Sequence, residues 1–101
     1  MQYPRRGSGM KLLLMEHFQR DLADLSQEER SRCFELLMAL PKAMGMPHRH
    51  AGLGIRKLHP SGIYEARVGL GLRIVFAMRK EQTILVRVGS HEDVRKYLSS
   101  L

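Results

Sequence analysis

The sequence predicts an α+β domain in which an N-terminal helical hairpin packs on a small antiparallel sheet of three or four strands, followed by a short C-terminal helix. Three observations predict it. Apolar residues recur at helical spacing as far as Leu40 and alternate strictly after Gly62. A capping box at Ser26 starts a second helix directly after the first. A Gly69-Leu70-Gly71 turn joins two alternating runs, as in a β-hairpin.

Residues 1–9 (Met-Gln-Tyr-Pro-Arg-Arg-Gly-Ser-Gly) have no apolar period and contain Pro4, Gly7 and Gly9. They read as a loose basic tail ahead of a domain spanning residues 10–101. The apolar run from Lys11 to Met15 suits an edge strand or a first helical turn, and length does not separate the two. Phe18, Leu22 and Leu25 then define a short amphipathic helix from about Glu16 to Leu25. Ser26 and Glu29 start the next helix at about Gln27; Cys33, Leu36, Leu37 and Leu40 form its buried stripe, and Pro41 bounds it. Residues 42–62 read as a long connection rich in Gly, Pro, His and basic side chains, among them Lys42, Arg49, Arg56 and Lys57. Loops of that length in a compact domain are usually functional or mobile. Three strands follow, about Gly62 to Val68, Leu72 to Arg79 and Thr83 to Val88.

The hairpin carries the most telling feature. Tyr64, Ala66, Val68, Leu72, Ile74 and Phe76 fall on one side, and Glu65, Arg67, Arg73 and Val75 on the other. A three-residue loop with Gly71 in the left-handed region makes Val68 and Leu72 the closing pair, which sets Arg67 opposite Arg73. Facing like charges cost a sheet roughly 0.2–1 kcal/mol. A sequence that keeps such a pair points to an anion held there, since local rules tend to be broken at functional sites. The plain alternative is that both arginines splay into water with Glu65 offsetting them diagonally. A five-residue loop from Arg79 to Thr83 would pair Met78 with Ile84 and place Arg87 opposite Val75 and Gly89 opposite Arg73. Glu65, Arg67, Arg73 and Arg87 then share one face. The chain leaves the sheet beside Arg73 through Ser90, which caps a terminal helix with Asp93 at its third position.

At 101 residues the chain suffices for one core without staples. Its 17 basic and 10 acidic residues give a formal charge of +7, favouring nucleic acid or a strongly acidic protein as partner. The lone Cys33 allows no internal disulfide and sits among apolar neighbours as a core thiol. No apolar run reaches the roughly 18 residues of a membrane span, and the start lacks a signal-peptide core. A cytoplasmic protein with no membrane contact is the expectation.

The helical hairpin, the basic loop ending in Arg56-Lys57-Leu58, Gly62-Ile63-Tyr64-Glu65-Ala66-Arg67-Val68, Leu72-Arg73-Ile74-Val75-Phe76 and Val88-Gly89-Ser90-His91 together resemble the RelE/ParE toxin superfamily of type II toxin–antitoxin modules. The resemblance runs from about residue 12 to the end. It implies helices on one face of an antiparallel sheet, with the active site on the opposite concave face. In the RelE branch, whose members cleave messenger RNA in the ribosome, a sheet arginine matches Arg73. A basic or imidazole residue after the last strand matches His91, and a tyrosine six residues on matches Tyr97. The branch's pair of sheet lysines falls at Glu65 and Arg67, so one position keeps its charge and the other reverses it. The resemblance also implies an acidic antitoxin as partner, with the ribosome and messenger RNA as targets and no small-molecule cofactor. The ParE branch shares the fold and acts on DNA gyrase without a nuclease constellation. A basic RNA-binding module without toxicity is a third reading.

Of these readings the resemblance favours the RelE branch. RNA carries its own nucleophile in the 2′-hydroxyl, so cleavage requires a base for that group, an acid for the leaving oxygen and positive charge on the phosphorane. Arg73 suits the last task, supported by Arg67 and Arg87, with Arg56 and Lys57 as further phosphate contacts. His91 is the natural proton-transfer residue, since histidine ordinarily titrates near 6.5. Tyr97 would stack on a base or serve as acid or base, and Glu65 is a second candidate base. No metal site is expected. His48 and His50 flank Arg49 with no third ligand nearby, which reads as a solvated loop.

Overall fold

The computed structural model of the chain describes residues 11–44 and 50–101. In chain order the elements are β1 (Lys11–Leu14), α1 (Glu16–Ala23), α2 (Gln27–Met44), α3 (His50–Leu53), β2 (Arg56–His59), β3 (Ile63–Val68), β4 (Leu72–Arg79), β5 (Gln82–Gly89) and α4 (His91–Ser99). The strands form one sheet in the order β1-β5-β4-β3-β2, with β1 parallel to β5 and every other pair antiparallel. The sheet has five strands where the sequence suggested three or four, because both edges gain one. Lys11–Leu14 resolves as a strand, and Arg56–His59, expected within a loop, pairs with β3. The expected tail at residues 1–9 and the pair His48 and Arg49 lie outside the described residues.

The helical segment follows the predicted start signals. Phe18 and Leu22 are the buried residues of α1. The Ser26 amide donates to Glu29 Oε1 at 3.0 Å and Ser26 Oγ accepts from the Glu29 amide at 3.1 Å, so the capping box is complete. Arg30 Nη1 donates to the Leu25 carbonyl at 2.6 Å and closes the turn between the helices. Pro41 does not bound α2, which runs on to Met44. A proline inside a helix sacrifices one backbone hydrogen bond. Leu40 and Ala43, both buried, anchor the helix to the core on either side of it. The two helices diverge over the sheet, α1 against β5 and α2 against β3.

Beneath them lies the main core. Ala66, Val68, Ile74, Phe76, Leu85 and Val88 rise from the sheet to meet Phe18, Leu22, Cys33, Leu36, Leu37 and Leu40. Tyr64 and Phe76, opposite each other in the register, stack with centroids 5.6 Å apart. The other face is not left bare, and this departs from a one-sided helical cover. Val75, placed by alternation among charged residues, is fully buried in a second cluster with Ile63, Ala77 and Val94, against which Tyr97 and Leu98 pack. The helix α4 therefore covers part of the face opposite α1 and α2.

Two turn assignments change while the register between β3, β4 and the end of β5 survives. Val68 pairs Leu72 and Arg67 pairs Arg73 as expected, but the left-handed residue is Gly69 at φ 64° rather than Gly71. Either glycine meets that need, and the sequence supplies both. Between β4 and β5 the loop is the two-residue Lys80-Glu81, with Met78 opposite Thr83 instead of Ile84. This shortens the expected loop and offsets the ladder by one. A bulge at Val86 then cancels the offset, so Val75 still meets Arg87 and Arg73 still meets Gly89.

Cys33 is 0 % exposed, and burial, with Glu29 adding to it, pushes its thiol up to about 11. The native protein should therefore resist a thiol-specific reagent at pH 7.5 and react fully once denatured in guanidinium. Rapid labelling of the native protein would mean that α2 is not seated on this core.

Candidate active site: an arginine cleft on the sheet

The site is built where three strands run side by side. Arg56 of β2 is opposite Glu65 of β3, Glu65 is opposite Val75 of β4, and Arg67 is opposite Arg73. Glu65 is 1 % exposed. Its Oε2 accepts from Arg56 Nε at 2.7 Å and from Arg73 Nη1 at 3.1 Å. A buried carboxylate survives only when paired and hydrogen-bonded, and here one oxygen meets both conditions through two guanidiniums. The alternation that puts Glu65 on this face also aims Arg67 and Arg73 there. These side chains, with Gly54 and Ile55, line a cleft of about 360 Å³. Three arginines against one carboxylate leave the cleft with a surplus of two positive charges.

Gly54 contributes something the sequence reading missed. It sits at φ 66°, and a Cβ there would come within 2.9 Å of Arg67 Cγ. The bare backbone thus lets the stem of Arg67 lie flat at the rim. The signal was a glycine two positions before Arg56, obscured because the whole connection read as loop.

The other candidates divide. Arg87 does not join the cleft. Its Nε and Nη2 donate to the two oxygens of Asp21 at 2.8 and 3.3 Å, and Asp21 Oδ2 also accepts from the Val88 amide at 3.0 Å. The hydrogen bond that Arg87 donates to Asp21 holds its guanidinium above its ordinary range. The register still sets Arg87 opposite Val75, on the face of Glu65 and Arg73, but its guanidinium is spent on fastening α1 to β5. Lys57 pairs with Tyr64, whose ring packs on the main core, so alternation directs Lys57 away from the cleft. His91 is exposed at the first position of α4. Tyr97 is half-buried against the second cluster, close enough to Arg87 to act on its charge.

The route from Arg73 to α4 is tightly set. Gly89 faces Arg73 and is packed so closely that a Cβ there would come within 2.6 Å of Asp93 Oδ2. Ser90 caps α4, its Oγ accepting from the Asp93 amide at 3.2 Å while its own amide donates to Asp93 Oδ2 at 2.9 Å. The Ser90 amide foremost, and the Ser90 hydroxyl donating to the same Oδ2 at 3.0 Å, hold the Asp93 carboxyl below the usual carboxylate range. Among the described residues no three of His, Cys, Asp and Glu gather as a metal site.

This arrangement of sheet and helices has counterparts among solved structures. The RelE–RelB complex of Pyrococcus horikoshii superposes with a TM-score of 0.67 at 16% identity, over 81% of this chain and 94% of that one. The fold is that of the RelE toxins. A mutant of the Escherichia coli toxin RelE in the free state gives 0.68 at 18% identity, covering 88% and 90% of the two chains. The E. coli DinJ–YafQ toxin–antitoxin complex gives 0.68 at 16%, covering 85% and 97%. No family model and no curated protein sequence matches the chain. The shared fold is visible in backbone geometry at identities of 16 to 18%.

Asp21 is the clearest structural residue near the site. Asp21→Ala would leave a partly buried guanidinium and the Val88 amide without their acceptor, at a cost of about 1–3 kcal/mol. Urea unfolding of the two proteins measures this. A cost near zero would show that the Asp21 contacts do not fasten α1 to β5.

Proposed function

We propose that the protein is the toxin of a type II toxin–antitoxin module, a metal-independent endoribonuclease that cuts messenger RNA in the ribosome and so stops translation. The observation that carries this reading is the Arg67–Arg73 pair, retained at the mouth of a cleft whose buried floor is a single carboxylate. Facing guanidiniums repel, and an RNA phosphate is the ligand that turns this repulsion into binding.

In the reaction the 2′-hydroxyl of the RNA attacks the adjacent phosphorus, its proton passes to a base, and the 5′-oxygen of the next nucleotide leaves with a proton from an acid. The products are a 2′,3′-cyclic phosphate and a 5′-hydroxyl. Arg73 stabilises the charge on the phosphorane, with Arg67 and Arg56 holding non-reacting oxygens. His91, exposed beyond the strand that ends opposite Arg73, is the proton-transfer residue, and Tyr97 on the same helix supports the substrate. An acidic antitoxin would silence the toxin by covering the arginine face, in keeping with the net charge of +7 and with solved neighbours that are toxin–antitoxin complexes. Its place of action is the cytoplasm, where ribosomes meet messenger RNA.

Arg73→Ala tests this directly. Loss of one preorganised electrostatic donor removes about 2.7–4 kcal/mol of transition-state binding, so induced growth arrest should vanish. Arg73→Lys keeps a charge beside Glu65 without the planar fork and should arrest growth only weakly. Thermal melting alongside shows that each variant is folded; if Arg73→Ala is not, Arg73→Lys carries the test. Either folded variant arresting growth at full strength would remove the arginine cleft from the mechanism.

A further inference from the structure

We propose that Glu65 is a positioning residue whose carboxylate fixes Arg73 and Arg56 as a two-armed phosphate clamp and takes no proton in the reaction. The inference rests on the nuclease reading above and assigns the one buried acid of the cleft a role different from the general base that its position on the sheet suggests.

The geometry argues for it in three steps. First, a base must reach the 2′-hydroxyl, whereas Glu65 is 1 % exposed and lies at the floor of the cleft. Second, the oxygen that takes part in contacts is already occupied: Oε2 holds Arg56 Nε at 2.7 Å and Arg73 Nη1 at 3.1 Å. Third, the way each guanidinium is held leaves its useful donors free. Among the described residues Arg56 is gripped through Nε alone, which leaves both terminal nitrogens, and Arg73 through one terminal nitrogen, which leaves Nη2 and Nε. Two guanidiniums meeting on one oxygen must converge, and their remaining N–H groups are brought to bear on whatever lies above it.

The arrangement also removes an electrostatic obstacle. Arg56, Arg67 and Arg73 around an empty cleft would repel and splay, and a phosphate would have to gather them at an entropic cost. Glu65 gathers two of them in advance. Its charge subtracts only one from the three, and the cleft stays positive. Arg56 is 65% exposed in its side chain, so without Glu65 it would sample open solvent from an edge strand.

The test measures single-turnover cleavage on ribosomes programmed with a defined messenger RNA, as a function of pH, for Glu65→Gln, Arg73→Ala and the double variant. A clamp that works through Arg73 predicts that Glu65→Gln slows cleavage about 10- to 100-fold, the loss expected when a catalytic group is slightly misplaced. Both limbs of the pH profile should stay where they are. In the Arg73→Ala background Glu65→Gln should add a further loss of less than about twofold, since groups acting as a unit are not additive. The proposal is overturned if Glu65→Gln removes the limb that falls toward low pH, or slows the Arg73→Ala protein by its own full factor. An unaltered rate overturns it as well. If Glu65→Gln does not fold, Arg56→Ala is the second variant: it leaves Glu65 paired with Arg73, and the clamp predicts slower cleavage with unmoved pH limbs, whereas a full rate overturns it. Full activity of folded Arg73→Ala would instead bring down the nuclease reading, so the two failures are distinct.

Discussion

The carboxylate of Glu65, buried between Arg56 and Arg73, is the constraint on which the rest of the site depends. A charge at 1 % exposure is tolerable only with its partners in place, and those partners come from the strands on either side of it. The four-residue edge strand β2 has little apolar surface of its own, with Leu58 alone packing inward. Its tie to the sheet is in good part the Arg56–Glu65 pair. Removing one partner of a buried pair costs more than the pair contributes. The same contacts that position the arginines therefore also hold down the edge of the sheet.

The sheet is used on both faces, which decides where a site can form. α1 and α2 close one side with the main core, and α4 closes part of the other through Val94, Tyr97 and Leu98. What remains open is the portion of the second face where β2, β3 and β4 carry Arg56, Arg67 and Arg73. Asp21 ties α1 to the last turn of β5, and Asp93 with Ser90 fixes the angle at which α4 leaves. Gly89 permits that close exit because any side chain there would strike Asp93.

The central hairpin was legible from sequence because two independent signals agreed, strict alternation from Tyr64 to Phe76 and a glycine turn of fixed length. The Arg67–Arg73 pairing follows from those two alone. Arg87 was misplaced because its partner is a tertiary one: the register keeps it opposite Val75, but Asp21, 66 residues away in the chain, takes its guanidinium. Val75 was misread for a different reason. The run Ile74-Val75-Phe76-Ala77 is apolar on both sides, the mark of a strand buried on both faces, and alternation alone hid it. β2 was invisible because Arg56, Lys57 and His59 are all exposed, so its pattern carries no period. The pairing of Glu65 with Arg56 depended on that hidden strand and could not be read before it.

With the fold shared with RelE toxins at identities of 16 to 18%, function turns on the cleft itself. Its converging guanidiniums suit a bound phosphate, and the proposed cleavage by the RNA's own hydroxyl assigns proton transfer to the exposed His91. The most direct test is to induce the protein under tight control and map the 5′ ends of messenger RNA across the transcriptome. New ends within coding sequences, phased with the codons, are the predicted result. Intact transcripts accompanied by a DNA-damage response would contradict it and make the arginine face a docking surface for a protein target.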